Sequence, residues 1–199
     1  MRRASGVRRA ALGFRPWASG CGLWALGLGL WVLGFGGLLA AQGLSREEAL
    51  AAVYGGADIR AEQLFLTPAQ LKQVATRAGT DPASAIVARY LAARNGEIVG
   101  RAYIDTHTVR TKRESLLISL DAQGRVMRID VTAFLEPPEF RAPGPWLGQY
   151  RGRALDDDLG INRAIRPIAG ATLTARAANS AVRRVLAIDE ILRSAGGGQ

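Results

Sequence analysis

Apolar and polar positions follow three rhythms along the chain, and each rhythm predicts a different kind of element. From about Gly20 to Ala41 no charge interrupts the apolar run, which is long enough for one helix of roughly 20 residues across a bilayer. Ser45-Arg46-Glu47-Glu48 then has the form of a capping box and predicts a helix to about Tyr54, ended by Gly55-Gly56. Thr67-Pro68-Ala69-Gln70 repeats the signature with proline at the first helical position, and Gly79 closes that helix. Beyond it the period shortens to two. Ala85–Ala93 and Ile98–Asp105 read as strands joined by a tight turn at Asn95-Gly96. Ser115–Leu120 and Arg125–Phe134 form a second hairpin around Asp121-Ala122-Gln123-Gly124. In its second strand Val126, Ile129 and Val131 are apolar while Arg125, Arg128 and Asp130 are charged, a pattern that predicts a sheet with one buried face. Pro137, Pro138, Pro143 and Pro145 mark an irregular crossing, followed by a short helical turn around Trp146–Tyr150. A helix from about Thr174 to Arg193 closes the pattern, with Ala178, Ala181, Val185, Ile188 and Leu192 at helical spacing. The expected class is α+β: an antiparallel sheet flanked by helices, with an N-terminal transmembrane helix and no βαβ unit.

The expected organisation is a basic N-terminus over 1–17, an anchor over 18–43, an extracytoplasmic domain over 44–194 and a short tail over 195–199. Residues 1–45 contain five arginines and no acid, so the positive flank predicts an N-terminus in the cytoplasm and the domain outside a bacterial inner membrane. A cleaved signal peptide is the competing reading, because Ala41-Gln42-Gly43 has the small residues that a peptidase takes. Within the anchor, Gly20, Gly27 and Gly34 recur at seven-residue spacing and offer a groove to another membrane helix.

Composition narrows the chemistry. The lone cysteine, Cys21, excludes a disulfide scaffold and a thiolate metal site, and the lone histidine, His107, leaves no multi-histidine centre. The net charge of +9 is spread among acids outside the N-terminus, which argues against nucleic acid as a partner. No serine–histidine–acid spacing or close carboxylate pair suggests hydrolysis. Asp156, Asp157 and Asp158 read as a solvated loop.

The segment Ile168-Ala169-Gly170-Ala171-Thr172-Leu173-Thr174 carries the most information. Gly170 permits a tight turn, Ala171 permits close approach, and Thr174 is placed to cap the last helix. The first amides of that helix would then face the loop, a ready site for a phosphate, with Arg166 and Arg176 on either side. The same residues also make a capped helix start that binds nothing.

Gly170-Ala171-Thr172 followed by Leu173-Thr174, opening a C-terminal helix, resembles the FMN-binding domain family. That family includes the G subunit of the Rnf electron-transport complex and the C subunit of the sodium-translocating NADH:quinone oxidoreductase. The likeness extends over about Arg46 to Arg193. In order, it takes in Leu66-Thr67-Pro68, Gly96-Glu97-Ile98-Val99-Gly100, Glu136-Pro137 and the aromatic segment Trp146, Leu147, Tyr150. The resemblance implies FMN as cofactor, joined by a phosphoester to Thr172 through a dedicated flavin transferase. It also implies membrane redox subunits as partners and electron transfer as the activity. Two positions depart from the family: Arg166 stands where an acid is usual, and Ala169 where serine or threonine is usual. Arg166 offers a cation to the phosphate of a bound but unlinked flavin.

On this reading Gly170, Ala171, Leu173 and Thr174 line the approach to Thr172, and Trp146 and Tyr150 wall the ring system. Glu136 either hydrogen-bonds the flavin or begins a proline-rich turn. His107, at a strand end, either reaches the flavin edge or faces solvent. The alternative from another class is a flavin-free sensory or assembly module that keeps the fold.

Overall fold

Ser45 and Thr67 each close the capping box that the sequence predicts, and these boxes fix the start of the first two helices in the computed structural model, which describes residues 45–196. Helix α1 (Arg46–Tyr54) begins where Ser45 Oγ accepts from the Glu48 amide at 3.2 Å while Glu48 accepts from the Ser45 amide at 2.9 Å. Helix α2 (Pro68–Ala78) repeats the arrangement with Thr67 and Gln70, and the Gly79 amide closes it on the Ala75 carbonyl. The expected segments 1–17 and 18–43, with Cys21, lie outside the described residues, as does the tail beyond Gly196. No helix of the described residues is long and apolar enough to cross a membrane.

Between α1 and α2 lies a strand that the sequence pattern does not predict, β1 (Asp58–Phe65). It is followed by β2 (Ile86–Arg94), β3 (Glu97–Thr108), β4 (Arg113–Asp121) and β5 (Val126–Phe134). The five form one antiparallel meander in the order β1-β2-β3-β4-β5. Both faces are covered, which corrects the expectation of one buried face. On one face Tyr103, Leu116, Ile118 and Leu120 pack with residues of α2, the C-terminal helix α4 (Thr172–Gly196) and the crossing segment. On the other, Ala49, Leu50 and Tyr54 of α1 pack against Tyr90, Ala102 and Leu117.

Two local features serve these layers. A bulge between β4 and β5 pairs Ser119 with Arg128 but Leu120 with Val126, leaving Met127 as the extra residue. Val126 and Ile129 therefore reach the same core in spite of their odd spacing. At Gly100 the Tyr54 ring lies so close that a β-carbon would collide with it and with the Leu120 carbonyl. The Tyr54 hydroxyl is thereby seated 2.8 Å from the carbonyls of Arg101 and Leu120.

The proline-marked crossing contains a 3-10 turn (Pro138–Phe140), a short helix α3 (Gly144–Leu147) and a second 3-10 turn (Gly148–Tyr150). Helix α4 starts two residues earlier than predicted, because its first i to i−4 bond runs from the Ala175 amide to the Ala171 carbonyl at 3.0 Å. Ala175, Ala178 and Ala181 are fully buried, and their small side chains let α4 lie close on the core.

Candidate functional site

The start of α4 is built differently from the starts of α1 and α2. Ala171 occupies the cap position and has no side-chain oxygen, so the amides of Thr172, Leu173 and Thr174 receive no cap from it. Thr174, expected as the cap, is instead the third helical residue and is almost completely buried. The preceding turn is made by Gly170, whose φ of +77° is reached at little cost only by glycine, with the Ala171 amide donating to the Ile168 carbonyl at 3.3 Å. Thr172 is exposed, and Leu173 remains 45% exposed.

These residues line a cavity of about 230 Å³. Its opposite side is contributed by Val109 and Arg110, just beyond β3, and by Glu136 and Phe140. The Arg110 guanidinium carbon stands 5.6 Å from the centroid of the Phe140 ring, a cation–π contact that holds the cation at the cavity. Glu136 Oε1 accepts from the amides of Arg110, Thr111 and Lys112 at 3.2, 2.7 and 2.7 Å. Those backbone donors, strongest from Thr111 and Lys112, hold its carboxyl below the usual carboxylate range. Glu136 therefore fixes the β3–β4 turn that presents Arg110, a positioning role that neither sequence expectation describes. Arg110 and Phe140 are additions to the residues expected from the sequence. Their only sequence signal is a basic turn, Arg110–Arg113, between two strands.

The other predicted residues fall elsewhere. Trp146 and Tyr150 do not line the cavity; both are in the core, edge to face with ring centroids 5.7 Å apart. Trp146 donates its indole N–H to the Arg166 carbonyl at 2.6 Å, and Gln149 Oε1 accepts from the Arg166 amide at 3.0 Å. The aromatic segment thus anchors the loop that leads to Gly170. Arg166 itself is exposed and outside the cavity lining, as is Arg176.

His107 neither lines the cavity nor faces solvent: its side chain is 8% exposed. Its Nδ1 stands 2.8 Å from Asp105 Oδ1 and its Nε2 3.1 Å from Glu114 Oε2. Burial alone would lower its pKa, but the hydrogen bonds to Asp105 and Glu114 outweigh it and hold the imidazolium above its ordinary value. Asp105 is held low in turn: burial opposes the charge, and His107 and Arg184 more than offset it. Arg184 of α4 makes a two-pronged contact with Asp105, at 2.9 and 2.7 Å. Glu114 Oε1 has no hydrogen-bond partner among the described residues. Further along α4, Asp189 accepts from Arg101, from the Tyr103 hydroxyl at 2.9 Å and from Arg193 at 2.8 Å. These groups are engaged with one another and tie α4 to the sheet.

Among known proteins, no family model, no curated sequence and no solved structure matches the chain.

Proposed function

We propose that residues 44–194 form an extracytoplasmic FMN carrier, held to a bacterial inner membrane by residues 18–43, with the phosphate esterified to Thr172. The observation that carries this reading is the meeting, in one cavity, of an exposed threonine, the uncapped first turn of α4 and Arg110. That donor set fits the group. Amide N–H groups and a guanidinium are what a phosphate takes, and Phe140 and Leu173 offer apolar surface to a flat ring. At about 230 Å³ the cavity is smaller than the ~300 Å³ from which pockets for whole small ligands begin, so it suits the phosphate end of a mononucleotide.

The bound isoalloxazine would supply one- and two-electron redox chemistry. The chain supplies attachment and position. Thr172 Oγ would give up its proton and form the phosphoester as a flavin transferase cleaves the phosphoanhydride bond of a flavin-dinucleotide donor, whose other nucleotide departs as the leaving group; the product is threonine plus FMN less one water. Arg110 and the first-turn amides offset the phosphate charge. Glu136 fixes the turn that carries Arg110, and Trp146 holds the loop that ends in Gly170. Membrane redox subunits are the electron partners, and the glycine-lined anchor is where one of them docks. A flavin-free sensory or assembly module is the second reading, favoured by Arg166 and Ala169 at positions where the resembled family differs.

Flavin fluorescence after denaturing electrophoresis tests the proposal. Exported together with a flavin transferase, the full chain is expected to give a fluorescent band that Thr172→Ala abolishes. A dark wild-type band, beside another substrate that the transferase has labelled, contradicts covalent carriage. A colourless native protein in the same preparation supports the second reading.

A further inference from the structure

The two edges of the sheet are treated differently. Along β5 the outer main chain is occupied: the Gly152 amide donates to the Val126 carbonyl at 2.7 Å, and the Val126 amide donates to the Arg153 carbonyl. Arg151 and Arg141 donate to the carbonyls of Met127 and Val131. The β4–β5 register is also broken twice. These are the devices by which a sheet edge is closed to further pairing. Edge strand β1 has none of these main-chain devices; its only guard is three charged side chains of mixed sign, Asp58, Arg60 and Glu62. It pairs with β2 over eight residues without a bulge, contains no proline, and no described loop or side chain hydrogen-bonds to its main chain. Its Ile59 is 39% exposed and its Phe65 71% exposed.

We propose that the open edge of β1 pairs with β1 of a second copy of this chain, antiparallel, about a twofold axis at Ala61. Charge and parity select the register. A twofold axis perpendicular to a continuous sheet brings residues of the same face opposite one another, so the axis passes through a single residue. Centred on Arg60, the pairing sets Arg60 against Arg60 and Asp58 against Glu62. Centred on Glu62, it sets Glu62 against Glu62. Centred on Ala61, it sets Arg60 against Glu62 twice and overlaps residues 58–64 of both strands; centred on Ile59 it would set Asp58 against Arg60 twice but overlap only 58–60 and leave Phe65 uncovered. Glu62 Oε2 is held by Arg89 at 2.7 Å, whereas its Oε1 lies 3.4 Å from the 79%-exposed Arg60 of its own strand and is the oxygen that would exchange partners. In the same register Phe65 falls opposite Ala57 of the partner subunit and diagonal to Ile59 of the partner subunit, which covers both exposed apolar side chains.

Single-cysteine cross-linking of the full chain in membranes, on a Cys21→Ser background, reads the register. With Ala61→Cys the two thiols face each other across the axis at a Cα separation of about 4.5–5.5 Å, within disulfide range. In Arg60→Cys or Glu62→Cys the like positions are diagonal, at about 7–8 Å, beyond that range. The expected result is a disulfide dimer for Ala61→Cys, little for either neighbour alone, and a dimer again when Arg60→Cys and Glu62→Cys chains are mixed. Arg60→Glu, which alters an exposed side chain, should weaken association of the solubilised chain on the order of tenfold. A monomeric wild-type chain overturns the proposal. So does a dimer that Ala61→Cys fails to trap, equal trapping at all three positions, or trapping of Ala61→Cys only to a different protein.

Discussion

At its first turn α4 presents amides, an exposed threonine and a nearby guanidinium to an open cavity, and no side-chain cap closes that turn. About three turns further on, the same helix carries Arg184, and then Asp189, into the body of the domain. There nearly every charged atom has a partner: Arg184 with Asp105, His107 between Asp105 and Glu114, Asp189 with Arg101, Tyr103 and Arg193. Both regions are polar, and only one has donors to spare. Charges that satisfy one another inside the chain hold the helix to the sheet and are expensive to disturb. Donors left unmatched at a cavity cost little to keep and are available to something outside the chain. The middle of α4 thus holds the fold together, and its first turn is where we propose that the ligand binds.

Substitutions in the two regions should therefore separate stability from flavin loading. The largest effect is expected for Arg184→Met, which leaves Asp105 buried without its two-pronged partner. A loss of about 3–5 kcal/mol in urea unfolding is expected, and a loss within experimental error would mean that the network contributes nothing. Trp146→Phe acts between the regions. It removes the indole donor to Arg166 and should cost about 1 kcal/mol, with lower flavin occupancy because the Gly170 loop loosens.

His107 gives a pH signature of the saturated region. Its folded pKa is raised, so the stabilisation it gives is fully present below the unfolded value of about 6.5 and fades as pH rises through the folded value. Asp105, held low, contributes above the unfolded carboxylate value of about 3.9 and loses its contribution as pH falls through the folded one. Unfolding midpoints should thus begin to decline as pH rises above about 6.5, and His107→Gln should remove that part of the decline, leaving the strongly alkaline loss due to the buried tyrosines Tyr54, Tyr103 and Tyr150. An alkaline limb unchanged in the variant would place its cause elsewhere. The smallest effect on stability belongs to Arg110→Gln, within about 0.5 kcal/mol because the side chain is exposed. The same substitution should lower flavin occupancy, and full loading without Arg110 would remove it from the site.

How much of the fold is legible in the sequence follows from how local each signal is. The capping boxes at Ser45 and Thr67 lie within four residues and can be read directly, as can both hairpins, whose turns are marked by Asn95-Gly96 and Gly124. Strand β1 escapes because its alternation is imperfect and little of it is buried: Asp58, Arg60 and Glu62 share a face with Leu64, while Gln63 interrupts Ile59, Ala61 and Phe65 on the other. The start of α4 is misleading because Thr174 looks like a cap, whereas the chain places Ala171 there and buries Thr174. His107 reads as a surface residue until β4 and α4 bring Glu114 and Arg184 to its neighbourhood, from sequence positions that no local pattern links to it. The candidate site divides the same way. Gly170, Ala171, Thr172, Leu173 and Thr174 are contiguous and legible, while Arg110 and Phe140 arrive from a strand end and a 3-10 turn far from them in sequence. Trp146 stands in a segment that the sequence does associate with the site, but it holds the loop through its indole N–H and does not line the cavity.

The intact mass of the denatured full chain tests most directly whether the open first turn of α4 carries flavin on Thr172. After export with an active flavin transferase, a gain of one FMN less one water is expected, absent in Thr172→Ala. An unmodified mass for the wild-type chain, with the transferase proven on another substrate, would contradict flavin carriage on Thr172.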